Sequence, residues 1–163
     1  MSSVPFFVIF ILLTVTYALA RGGGPERTTA IAFIGGAIGS LSVGFVHMPG
    51  EFRSVPVRLL FVDGLLLLGL CPIAMRANRW WPIPVAGCQL VAVLVHAGKL
   101  LDSAMIPSGY AFLVKIMSWP MVALLAYGTW THRRRLRRRI IVRDWKPSSM
   151  QQPSPMLRVP PSD

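Results

Sequence analysis

The chain has 163 residues and a formal net charge of +11, with 53% apolar and only 14% charged residues. A soluble domain of this length carries about a quarter charged residues spread along its length, so composition excludes an ordinary water-soluble core and indicates a membrane protein. Nine of the 17 Lys and Arg lie beyond His132. The basic balance is therefore a property of one end, and nucleic acid is not expected as a partner without a folded module or stacking aromatics beside it.

Five apolar stretches follow one another, bounded by charges, Gly and Pro. The first covers 4–20, about 26 Å of helix and at the short end of what a bilayer core requires. The second covers 29–48 and closes at Pro49-Gly50. The third covers 59–75, with Arg58 placed to snorkel at its start. The fourth covers 82–101; Pro82 and Pro84 cost little in a first helical turn, where backbone donors have no helical partner. The fifth covers 109–130 and contains Pro120, which with Pro72 in the third stretch removes a backbone donor and predicts a kink. Residues 132–163 read as a basic and then Pro-rich disordered cytoplasmic tail. The expected fold is thus an all-α polytopic bundle over 1–131.

Ala18-Leu19-Ala20 resembles a signal-peptidase site, yet no Lys or Arg precedes the apolar run as a secretory signal requires. Retaining the first helix gives five crossings, with the N-terminus outside and the C-terminus inside. Arg21, Arg27, Arg76, Arg79 and the tail then fall on the cytoplasmic side, as the positive-inside rule demands. Trp80, Trp81, Tyr127 and Trp130 fall at the same boundary, where amphipathic rings prefer the headgroup region. Arg133, Arg134, Arg135, Arg137, Arg138 and Arg139 form a membrane-anchoring block for anionic headgroups, each worth about 1 kcal/mol near such a surface.

With that orientation, the polar residues inside the spans gather toward the outer side: His47, Asp63, His96, Lys99 and Lys115. Gln89, His96 and Lys99 share one stripe of the fourth helix at 100° per residue. Ionisable groups in spans usually face a bundle interior or a wet cavity. Two readings follow: an Asp63–Lys115 pair that ties two helices, or an outward-facing polar cavity for a small ligand. The two span histidines lack a short-spaced ligand pair, and Cys71 and Cys88 have no histidine at their depth. Neither a metal, a cofactor nor an enzymatic nucleophile is expected. Gly35, Gly36, Gly39, Ser40 and Gly44 give the second helix a small-residue packing face, for an internal neighbour, another membrane protein or a second copy of the chain.

Three blocks carry a resemblance: Tyr17 through Gly22-Gly23-Gly24-Pro25-Glu26-Arg27; Arg79-Trp80-Trp81-Pro82 through Gly87-Cys88-Gln89-Leu90 to His96; and Trp119-Pro120 with Gly128-Thr129-Trp130-Thr131-His132-Arg133-Arg134-Arg135. Together they resemble a family of small alphaproteobacterial inner-membrane proteins. The resemblance implies an inner-membrane location and brings no activity or site residue with it. The expected role is a non-enzymatic accessory or interaction subunit, against a small transporter or ligand-binding protein using the outer polar cluster.

Overall fold

The computed structural model describes residues 4–45, 54–101, 107–138 and 144–146. The described residues form five α-helices and no strand: α1 Val4–Arg21, α2 Gly24–Phe45, α3 Ser54–Arg76, α4 Pro82–Leu101 and α5 Pro107–Arg137. Each helix packs on the next in chain order, and α5 closes the ring against α1. Short connections make sequential helices neighbours. The link between α1 and α2 is only Gly22-Gly23, and Gly22 N–H still reaches the Ala18 carbonyl at 2.8 Å.

The apolar pattern faces both ways. Val15, Ala18, Phe33, Ile73, Val85 and Leu125 belong to the buried core, while Phe6, Leu12, Phe61, Leu68, Leu94 and Phe112 are exposed. Three stretches, Val57–Arg76, Pro82–Leu101 and Phe112–Arg137, are long and apolar enough to cross a membrane, and Pro5–Arg21 is apolar but shorter. Only 11% of the α3 window is buried within the protein. Its remaining apolar surface needs an apolar solvent, which a bilayer supplies.

Besides one-residue differences at the ends of α1 and α3, and the end of α2, beyond which 46–48 lie outside the described residues, four boundaries differ from the expected ones, each for a local reason. α2 begins at Gly24 rather than residue 29, because Gly23 caps it: Arg27 N–H donates to the Gly23 carbonyl at 3.0 Å. Pro25 sits in the first turn, where it is tolerated. α3 begins at Ser54 rather than 59, again with a Pro, Pro56, in its first turn. α5 begins at Pro107 rather than 109, with Pro at its first position. It also runs to Arg137 rather than stopping near 130, since Arg is a good helix former and basic side chains suit a helix C-terminus.

The first part of the expected tail is therefore ordered helix. A second part is docked: Asp144–Lys146 lies along the α3–α4 connection. Asn78 N–H donates to the Asp144 carbonyl at 3.1 Å and Lys146 N–H to the Arg76 carbonyl at 2.9 Å. Residues 147–163, Arg139 and His47 lie outside the described residues.

Candidate functional site within the bundle

On α4 the buried residues are Pro82, Val85, Gln89, Ala92 and His96. Their spacing alternates three and four, so they form one inward stripe. Gln89 and His96 are two turns apart on that stripe and both reach Asp63 of α3. His96 Nε2 lies 2.7 Å from Asp63 Oδ2, with the imidazole almost fully buried and the Asp63 side chain 18% exposed. Gln89 Nε2 donates to Asp63 Oδ1 and to the Asp63 backbone carbonyl, each at 3.1 Å. Two acceptors on one nitrogen fix the orientation of the Gln89 amide.

Asp63 and Gln89 face a cavity of about 250 Å³ walled by all five helices. Phe7 and Ile11 come from α1, Phe33, Gly36 and Ser40 from α2, Asp63 from α3, Gln89 from α4 and Ser118 and Met121 from α5. Phe7, one of the lining residues, and Phe10 pack on the Trp119 ring, with centroids 5.3 and 5.9 Å away. An ionised carboxylate offers about four lone-pair sites. Gln89 and His96 use one on each oxygen, so the exposed part of Asp63 can accept further donors from the cavity.

A second polar cluster lies at the other end of the bundle, around the α2 N-terminus. Glu26 occupies the third helical position, and its Oε2 accepts the Gly23 N–H at 3.1 Å, half of a capping box. Its Oε1 accepts the Trp81 indole N–H at 3.2 Å and pairs with Arg79 Nη1 at 3.2 Å. Arg79 Nη2 reaches Asp144 Oδ1 and His132 Nδ1, both at 2.7 Å. A guanidinium can only donate, so His132 Nδ1 carries the lone pair and the ring is neutral with its proton on Nε2. Asp144 Oδ2 accepts the Gly24 N–H at 3.0 Å, placing a second carboxylate on the positive end of α2. Burial raises the Asp144 pKa, but the Gly24 N–H and the Arg79 hydrogen bond and charge outweigh it and hold the carboxyl below its usual range.

Glu26 is fully buried and the Arg79 side chain is 4% exposed. Arg79 Nε is the one buried side-chain polar atom without a partner among the described residues. Glycine makes the assembly sterically feasible: a Cβ on Gly128 would fall 2.5 Å from the Trp81 ring, and one on Gly23 2.7 Å from Asp144 and 2.9 Å from His132.

Of the residues singled out from sequence, Asp63, Gln89 and His96 are brought together. Lys99 is half-buried on α4, and Lys115 lies on an exposed part of α5. Gly36 and Gly39 pack on Leu66 and Val62 of α3, while Gly35 faces open space. Ser40 lines the cavity, and Gly44 is in α2. Arg133–Arg137 lie on α5 and Arg138 directly follows it. Cys71 and Cys88 are free and half-buried.

Trp80, Tyr127 and Trp130 form an exposed ring cluster, with Arg134 5.3 Å above Trp130. Trp81, expected in the same headgroup belt, is instead 2% exposed because its indole N–H is taken by Glu26. His132, expected in the tail, is 6% exposed for the analogous reason. The Glu26, Arg79, Trp81, His132 and Asp144 cluster was not visible as a site in the sequence. Its signals were a lone Glu just after a glycine turn, and an Asp next to Trp145 just beyond the arginine block. Among the described residues, no group of three His, Cys, Asp or Glu is arranged to hold a metal.

No family model, curated protein or solved structure matches the chain.

Proposed function

We propose that the protein is a five-span inner-membrane protein that binds a small cationic or hydrogen-bond-donating solute, or a proton, at Asp63 within the bundle. The observation that carries this reading is a carboxylate with unused acceptor capacity at the wall of a cavity to which every helix contributes. Gln89 and His96 orient that carboxylate. The Phe and Met surfaces around it lower the local dielectric and so strengthen any charge interaction made there. Small-solute sites in helical bundles have this form, mostly apolar with a few convergent polar groups.

The five-crossing topology, with a periplasmic N-terminus and cytoplasmic C-terminus, is supported by the meeting of the α1–α2 turn, the α3–α4 connection and the α5 C-terminus in one cluster. The positive-inside bias supports the assignment of sides, and the resemblance to alphaproteobacterial inner-membrane proteins supports the location.

Asp63→Asn tests the function. In proteoliposomes with an entrapped pH dye and an imposed gradient, the wild type is expected to pass protons. In a parallel thermal-shift series, alkylammonium and guanidinium salts are expected to stabilise it. The variant is expected to lose both responses while staying monodisperse. A wild type that shows neither response, with a variant that differs only in stability, would favour the accessory-subunit reading, in which the Asp63 cluster merely ties α3 to α4.

A further inference from the structure

The outer surface between α2 and α3 carries two further hollows, of about 320 and 380 Å³. They share Ala32 and Gly69, and so form one furrow along the helix pair. From Val62 to Arg76 it runs along about 21 Å of α3 at 1.5 Å per residue. That exceeds the acyl layer of one leaflet, about half of a roughly 30 Å hydrocarbon core. Its floor is made without side chains: Gly35 and Gly69 are exposed, and a Cβ on either would meet nothing within 4 Å. Exposed Ile31 and Leu65 form apolar rims.

The furrow is chemically polarised. At one end stand Arg76, exposed at the α3 C-terminus, and the part-exposed Trp145 indole. Lys146 follows, with its Nζ at the Met75 carbonyl, 3.1 Å away. Basic groups and an amphipathic ring at the end of an apolar slot match the headgroup and chain of an anionic lipid. The docked Asp144–Lys146 segment completes that end by bringing Trp145 to it.

We propose that this furrow binds one anionic phospholipid, with an acyl chain along Gly69 and Gly35 and the phosphate at Arg76 and Lys146. A second copy of the chain is the competing occupant, and the charged end argues against it because Arg76 would then face another Arg76 or an apolar helix. The site rests on membrane residence alone and does not involve Asp63, although Gly36 and Leu66 border both the furrow and the Asp63 cavity.

Native mass spectrometry of the full-length protein in detergent, supplied with phosphatidylglycerol or with phosphatidylcholine of identical chains, tests it. The wild type is expected to retain one phosphatidylglycerol in preference to phosphatidylcholine. Gly69→Leu fills the slot and should abolish retention of either lipid. Gly35→Leu blocks the far end and gives the same reading should the first variant fold poorly. Arg76→Gln should lower phosphatidylglycerol retention roughly fivefold, the loss of one basic contact near a phosphate, and weaken the headgroup preference, which Lys146 then carries alone. Undiminished retention in both Leu variants would place the lipid elsewhere and overturn the proposal. So would equal retention of the two headgroups by the wild type, or a wild-type dimer that Gly69→Leu converts to monomer.

Discussion

The two polar clusters use the same chemistry to different ends. Around Glu26 every charged group has a protein partner: Arg79 serves Glu26, Asp144 and His132 at once, and Trp81 and Gly23 also donate to Glu26, which leaves Arg79 Nε as the one buried side-chain polar atom without a partner among the described residues. Around Asp63 the pairing is incomplete, and the carboxylate borders a cavity. A buried polar network that is nearly saturated fixes geometry and has little left to offer a ligand. One that is partly open retains capacity to bind. On that difference rests the proposal that the first cluster is structural and the second is the binding site.

The largest expected effect comes from breaking the nearly saturated cluster. Arg79→Ala would leave fully buried Glu26 without its charge partner, and removing one member of a buried pair costs about 3–5 kcal/mol. Thermal unfolding in mild detergent should show a large loss, with Glu26→Gln in the Arg79→Ala background restoring part of it. A small loss would mean that water reaches Glu26 and that the cluster does not lock the bundle.

The same end can be broken by shape alone. Gly128→Ala drives a methyl into the Trp81 indole, and overpacking of this kind costs about 1–3 kcal/mol. Gly35→Ala is the internal control. It meets nothing within 4 Å, and should stabilise α2 slightly, by about 0.5–1 kcal/mol, through the greater helix propensity of Ala. Opposite signs for two Gly→Ala changes in unfolding midpoint would show that glycine at 128 serves close approach rather than flexibility.

Asp63→Asn sharpens the contrast from the other side. The amide keeps an acceptor for Gln89, and its NH2 can face a His96 ring whose proton moves to the other nitrogen. The expected loss is about 1 kcal/mol, well below that for Arg79→Ala, although solute or proton responses disappear. A loss as large as that of Arg79→Ala would move the Asp63 cluster into the structural class.

How far the sequence revealed these clusters depends on whether their spacing was periodic. Gln89 and His96 were legible because a single helix carries both on one stripe, and helical periodicity fixes the face. Asp63 was legible as an intramembrane charge, but depth alone does not fix azimuth, so its similar depth pointed to Lys115 as partner and not to His96, which the fold places on it. The Glu26 cluster escaped because its members come from two interhelical turns, a helix end and a segment beyond residue 140, and no period links them. The blocks carrying the family resemblance did contain Glu26, Arg79, Trp81, Gly128 and His132, yet only the fold shows that these blocks meet. Apolar length located all five helices. It misjudged the end of α5 because hydropathy stops at Trp130 while the helical backbone continues through the arginines.

The smallest effect isolates the docked segment within the nearly saturated cluster. Asp144 is about one-third exposed, so its contribution is screened and should fall below about 1 kcal/mol. Because its folded pKa is depressed, the stabilisation is fully present above the carboxyl's unfolded value and is lost as pH falls through the lower folded value. The amides that register docking are those of Gly24, which donates to the Asp144 carboxylate, and of Asn78 and Lys146, which bridge to the segment's backbone. Hydrogen exchange should find all three protected at neutral pH. Asp144→Asn should speed their exchange without changing that of amides within α3 and α4. Acid should reproduce this in the wild type only below the usual carboxylate range, whereas release of the three amides near neutral pH would show that a group other than Asp144 holds the segment in place.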